Sequence, residues 1–74
     1  MSILRRQGRM FVIDDSKLTP KARDIPVKNG LYAAVYEEFL GASENPKYKH
    51  LSTLELFNTM NKFAEKWLKD RGFA

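Results

Sequence analysis

Few residues of this chain have the types and spacings that catalysis or metal binding requires. The candidates for acid–base chemistry are two adjacent acidic pairs, Asp14-Asp15 and Glu37-Glu38. Neighbours on a helix point in different directions, and Asp-Asp-Ser after an apolar run is ordinary turn sequence. The single histidine, His50, has no second histidine and no cysteine at metal-ligand spacing. We therefore expect no enzyme activity, no metal site and no cofactor.

Arginines early in the chain indicate a different chemistry, the binding of phosphate. The segment LRRQGRMFVIDD, residues 4–15, has three arginines within five positions. Residues 1–30 hold seven basic and three acidic side chains, which accounts for the whole net charge of +4. Guanidinium groups bind phosphate bidentately, and such clusters give sequence-independent affinity for nucleic acid. The candidate nucleic-acid-binding residues are Arg5, Arg6, Arg9, Lys17, Lys21, Arg23 and Lys28.

These arginines also have a purely structural explanation, because charges on an edge strand prevent sheet-to-sheet pairing. Sequence-specific readers of nucleic acid fit the chain poorly. About a dozen residues separate the two predicted helices, whereas a helix-turn-helix uses a turn of roughly three to four. The consensus sequences of the common RNA-binding modules are also missing. The first hypothesis is therefore a small basic module, regulatory or accessory, that associates non-specifically with nucleic acid.

The alternative hypothesis is a protein-binding adaptor or inhibitor with no nucleic-acid contact. Nine of the 74 residues are aromatic, and tyrosine and tryptophan often anchor interfaces. The protein-interface candidates are Tyr32, Tyr36 and Tyr48, and we expect Tyr48 to be exposed because it lies beside lysines in a predicted loop. The same surface could instead form a homodimer.

Length and composition limit the remaining possibilities. Seventy-four residues correspond to one small domain, residues 1–74, and 43% hydrophobic residues are typical of a folded chain. The chain has no cysteine, which excludes disulfides and favours a reducing, cytoplasmic location. The longest apolar run, Leu31 to Tyr36, is too short for a transmembrane helix, and the first residues do not resemble a signal peptide. We expect no contact with membranes.

The end of the chain has the clearest secondary-structure pattern. Apolar residues from Leu56 to Leu68 fall on one arc of a helical wheel, and Trp67 lies in the middle of that arc, so we expect it in the core. Ser52 and Glu55 have the spacing of a capping box, and Gly72 is typical of a helix end. The pattern predicts a helix over residues 53–71.

A second helix is predicted over residues 30–40, with Asn29 as its cap and Gly41 as its stop. Met10 to Ile13 form a predicted strand whose nearest partner is residues 3–6, across a turn at Gln7-Gly8. The predicted fold is α+β: an N-terminal strand or β-hairpin packed on two helices. Residues 1–28 would be a basic strand and loop segment, and residues 29–74 the helical part.

Overall fold

The computed structural model describes residues 3–7 and 10–73; Met1, Ser2, Gly8, Arg9 and Ala74 lie outside the described residues. Strand β1 (Leu4–Gln7) and strand β2 (Met10–Ile13) form an antiparallel hairpin. Two short 3-10 helices, Asp15–Lys17 and Pro20–Arg23, lead to helix α1 (Ile25–Phe39), and a turn-rich segment leads on to helix α2 (Thr53–Asp70). The predicted α+β arrangement of a hairpin and two helices is confirmed.

The hairpin forms as predicted, but each residue of β1 pairs with a β2 residue two positions further along the chain than the predicted turn implies. Gln7 belongs to β1 and pairs with Met10, whereas the predicted turn at Gln7-Gly8 would have put Leu4 opposite Phe11. In the structure Leu4 lies opposite Ile13, and both side chains are buried. The register follows from this pattern, because it puts both apolar side chains against the helices.

Helix α1 begins at Ile25, five residues before the predicted start, so the division of the chain between residues 28 and 29 does not match the boundary of the helix. Asp24 is the N-cap residue, and its carbonyl accepts the N–H of Lys28 at 3.1 Å. Pro26 lies in the first turn, where a helix does not need the missing N–H. Asn29 is therefore an interior residue of the helix and not its cap.

Helix α2 confirms its predicted end signals. The Ser52 side chain accepts the N–H of Glu55 while the Glu55 carboxylate accepts the N–H of Ser52, which completes the capping box. At the other end Gly72 has a φ of 77°, and the N–H of Phe73 donates to the carbonyl of Leu68 at 2.8 Å. The Phe73 carbonyl also accepts the N–H of Thr19 at 3.2 Å, so the chain end is held against the segment before α1.

Two apolar clusters stabilise the fold. The main core lies between the hairpin and the two helices, and Trp67 packs half-buried against its edge. A smaller cluster joins the end of α1 to the segment before α2 through Phe39, Ala42 and Tyr48. The buried residues of the main core are Ile3, Leu4, Ile13, Leu18, Ala22, Leu31, Ala64 and Leu68. Among the described residues, no buried side-chain nitrogen or oxygen lacks a hydrogen-bond partner.

Candidate interaction surfaces

Four of the seven predicted basic residues lie around the acidic segment that follows β2, which contains Asp14 and Asp15. The Lys28 ammonium group lies 3.1 Å from the Asp15 carboxylate, and the Arg23 Nε donates to the Asp15 carbonyl at 3.0 Å. The early start of α1 makes the first of these contacts, because it places Lys28 on the first turns of the helix. Asp15 thus holds two of the candidate cations in place and offsets part of their charge.

Asp14 has a similar position with respect to two further cations. Its carboxylate accepts the Ser16 hydroxyl at 2.6 Å and the Ser16 N–H at 3.1 Å. These hydrogen bonds, and then the nearby charges of Lys17 and Arg5, lower the pKa of Asp14. We call Arg5, Lys17, Arg23 and Lys28 the basic cluster. It sets four cations against the two carboxylates of Asp14 and Asp15.

The other three basic candidates are not part of the basic cluster as the structure describes it. Lys21 is exposed, and its ammonium group lies 5.8 Å from the centre of the Phe73 ring, beside the chain end. Arg6 belongs to β1 by its backbone, but its side chain lies outside the described residues, as does the whole of Arg9.

Tyr48 is buried, contrary to the exposure expected from its position among lysines. Only 6% of its surface is exposed, and its ring centre lies 4.9 Å from that of Phe39. A single turn starting at Asn45 carries it inward, where the Phe63 ring also packs edge-on against Phe39 at 5.6 Å. Packing by residues distant in sequence outweighs the polar neighbours, so Tyr48 is a core residue and not an interface candidate.

The hydroxyl of Tyr48 reaches a charged group at the edge of this small cluster. It donates to the Glu38 carboxylate at 2.6 Å, and the Lys47 ammonium group donates to the same oxygen at 3.2 Å. The Tyr48 hydrogen bond first, then the hydrogen bond and charge of Lys47, lower the pKa of Glu38. Glu38, one of the two acidic residues considered for acid–base chemistry in the pair Glu37-Glu38, therefore makes structural contacts.

The outer edges of the hairpin are closed by one side chain from each helix. The Tyr32 hydroxyl accepts the N–H of Ile13 at 3.2 Å. On the other edge, the Asn61 side-chain oxygen accepts the N–H groups of Ile3 and Leu4. Asn61 was not among the predicted site residues, and its one signal in the sequence is a polar residue at the border of the apolar arc of α2. Both contacts protect backbone groups that a lone two-stranded sheet leaves unpaired.

The outward face of α1 holds four of the five exposed large apolar side chains among the described residues. The exposed fractions of its large side chains are 70% for Ile25, 40% for Tyr32, 65% for Tyr36 and 62% for Leu40. A helix of about 100° per residue puts these four within an arc of about 80°. Two of the three predicted interface tyrosines, Tyr32 and Tyr36, therefore lie together on one surface.

The depression beside α2 and the single histidine give weaker indications of a binding site. A shallow depression beside α2 is lined by Phe63 and Trp67, and the Arg71 guanidinium group stacks 3.9 Å above the Trp67 ring. His50 is exposed, and in the part of the chain that the structure describes no three metal-ligating side chains come together. None of the described helices is long and apolar enough to cross a membrane.

Comparison of the chain with protein-family models, with curated proteins and with solved structures gave no match. The basic cluster and the outward face of α1 are therefore the two candidate interaction surfaces of the chain.

Proposed function

We propose that this chain is a small, non-enzymatic protein-binding module that docks through the outward face of α1. The observation that carries the proposal is the composition of that face. Ile25, Tyr32, Tyr36 and Leu40 are exposed on one side of a single helix, where an isolated domain would place polar residues. Single exposed apolar residues are normal on proteins, but a contiguous group marks an interaction site.

The types of side chain on this face also suit binding to protein. Tyrosine adds a large apolar area and a polar tip, and it is among the residues that most often dominate interface energies. Tyr36 is 65% exposed, so it can contribute its area to a partner. The face has few charges, which resembles the charge-depleted centre of a protein interface.

Site-specific crosslinking tests the proposal. A photoreactive amino acid replacing Ala33, an exposed residue on the same face, should give protein adducts in native cells, and Tyr36→Glu should abolish them. The matched control replaces Lys62, which is exposed on α2, and should give no such adducts. Equal adducts from both positions, or adducts insensitive to Tyr36→Glu, would contradict the proposal.

Association with nucleic acid is the second candidate function, and the basic cluster favours it. Arg5, Lys17, Arg23 and Lys28 gather around one loop and outnumber its carboxylates by two. Arginine and lysine groups bind phosphate, and clusters of them give sequence-independent affinity for nucleic acid. We rank this function second because the pairing of Lys28 with Asp15 offsets a cation that phosphate would otherwise bind.

A further inference from the structure

We infer that the partner on the outward face of α1 is a second copy of this chain, paired antiparallel about a two-fold axis. This inference rests on the proposed function, because it names the partner of the same surface. Three properties of the face support it: the position of its charges, the order of its side chains along the helix, and the polarity of its two ends.

The face can meet itself without bringing like charges into contact. On a helical wheel eight exposed residues span an arc of about 140° on this face: Ile25, Pro26, Asn29, Tyr32, Ala33, Tyr36, Glu37 and Leu40. Only Glu37 is charged. In an antiparallel pair centred on the middle of α1, the two copies of Glu37 would be separated by about 14 Å along the helices, at 1.5 Å per residue. This exceeds the screening length of about 8 Å at physiological salt.

The order of side chains along the face is compatible with a two-fold axis. Ile25 and Leu40 lie at equal distances from the centre of the face. In the antiparallel pair, Ile25 of one copy would therefore lie beside Leu40 of the other. In the same way Tyr36 would lie beside Asn29 of the opposite copy. The Ala33 residues of both copies meet near the axis, where their small side chains let the helices approach closely. Isologous contacts of this kind are the commonest in protein oligomers.

The start of α1 is basic and its end is acidic, which favours antiparallel pairing of two copies. Lys21 and Arg23 are exposed just before the helix, and Glu37 and Glu44 are exposed at or just after its end. Asp24 at the first end, and Lys47 and Lys49 at the second, reduce the difference. Glu38, which pairs with Lys47, keeps the second end acidic. Antiparallel pairing puts the basic end of each copy next to the acidic end of the other and opposes the two helix dipoles. Parallel pairing would bring like ends together.

The size of the face limits the strength of the dimer. Helix α1 has 15 residues and is about 22 Å long. A contact along one such helix lies at the low end of stable interfaces, which bury about 800 Å² per partner. We therefore expect a dissociation constant on the order of 10–100 µM, typical of small and reversible contacts.

Charge substitution at the axis tests the inference on the purified protein. Sedimentation velocity from about 5 µM to about 1 mM should show the wild type changing from monomer to dimer, since this range brackets the expected constant. Ala33→Arg puts two like charges next to the axis and should weaken dimerisation at least about tenfold. Ala33→Glu should do the same, and an equimolar mixture of the two variants should dimerise again. Asn58→Arg, on the exposed surface of α2, is the matched control and should dimerise like the wild type.

Two results would overturn the inference: a wild type that is monomeric at the highest concentration, or a dimer that Ala33→Arg and Asn58→Arg affect equally. If the purified protein is monomeric but position 33 still crosslinks to a different protein in cells, that other protein occupies the face. In that case the inference fails and the proposed function stands. A monomeric protein without any adducts would overturn both.

Discussion

The side chain of Asn61 on α2 is hydrogen bonded to the backbone of Leu4 on β1, with 3.0 Å between the Leu4 nitrogen and the Asn61 Oδ1. The same oxygen accepts the N–H of Ile3 at 2.7 Å. The Asn61 side chain on α2 thus accepts the backbone hydrogen bonds that a neighbouring strand would otherwise accept from this edge of the hairpin. This contact joins the hairpin to the longer helix.

Removal of the Asn61 amide should destabilise the protein. Asn61→Ala leaves two backbone N–H groups without an acceptor, and we expect a loss of about 2 kcal/mol in the free energy of unfolding. Urea denaturation followed by circular dichroism measures the change. Asn58→Ala, at an exposed position of the same helix, is the control and should change stability by less than about 0.5 kcal/mol. Equal effects of the two substitutions would show that the contact with β1 contributes nothing.

Truncation to alanine should destabilise the protein at Tyr48 but not at Tyr36. Tyr48 is buried against Phe39, so Tyr48→Ala should cost about 3 kcal/mol or more and could prevent folding of so small a domain. Tyr36 is exposed, and Tyr36→Ala should leave thermal stability nearly unchanged. Tyr48→Phe keeps the ring and tests the hydroxyl alone, with a smaller expected loss. A Tyr48→Ala protein with wild-type stability would contradict the position of this residue in the core.

Acidic pH should weaken the fold through Glu38. Its pKa is lowered in the folded state, first by the hydrogen bond from Tyr48, so the unfolded chain binds a proton at higher pH than the native one. The stabilisation from Glu38 is therefore complete above the ordinary glutamate pKa of about 4.3 and disappears as the pH falls through the lower native value. The stability of Glu38→Gln, measured by denaturation from pH 6 downwards, should decline less steeply than that of the wild type. Parallel curves for the two proteins would contradict this assignment.

The end signals of α2 could be predicted because they are local. Ser52, Glu55 and Gly72 act on residues within a few positions, and the structure has the capping box and the left-handed glycine where the sequence places them. The start of α1 has no such signal. Asp24 makes no side-chain cap hydrogen bond, and Pro26 is compatible with a loop as well as with a first helical turn. That boundary depends on the packing of the helix.

The candidate surfaces were predictable only in part for the same reason. Tyr32 and Tyr36 lie four positions apart on a helix, so their shared face follows from periodicity. The burial of Tyr48 depends instead on Phe39 and Phe63, to which no local pattern connects it. The salt bridge of Lys28 with Asp15 requires both the early start of α1 and the path of the intervening loop.

Glycine substitutions test the observed start of α1. Gly30 lies inside the helix, and a Cβ there would be 3.5 Å from the Trp67 ring, an ordinary contact distance. Gly30→Ala should therefore raise stability by about 0.5–1 kcal/mol, because alanine favours a helix interior. Gly41 has a φ of 67°, and Gly41→Ala should lower stability because alanine is strained in that conformation. A loss of stability in Gly30→Ala would mean that Trp67 packs more tightly on α1 than the structure shows.

Salt dependence tests the role of the basic cluster in binding nucleic acid. If its four cations contact duplex DNA, a plot of log affinity against log salt concentration should have a slope near −4, at about −0.9 per phosphate. Replacing Arg5 and Lys17 by alanine removes up to two contacts and should flatten the slope by about 2. The matched control replaces Lys66 and Lys69 by alanine, which removes the same charge from the exposed surface of α2 and should leave the slope unchanged.

Fluorescence anisotropy with labelled duplex and single-stranded DNA over a range of salt concentrations gives these slopes. If both double variants flatten the slope equally, binding follows the overall charge, and the basic cluster is not a site. If the wild type does not bind at about 50 mM salt, where phosphate contacts are strong, the cations around Asp14 and Asp15 serve only the structure. In that case the charge on β1 acts as protection of a strand edge, and Arg5→Ala should increase aggregation without a change in affinity.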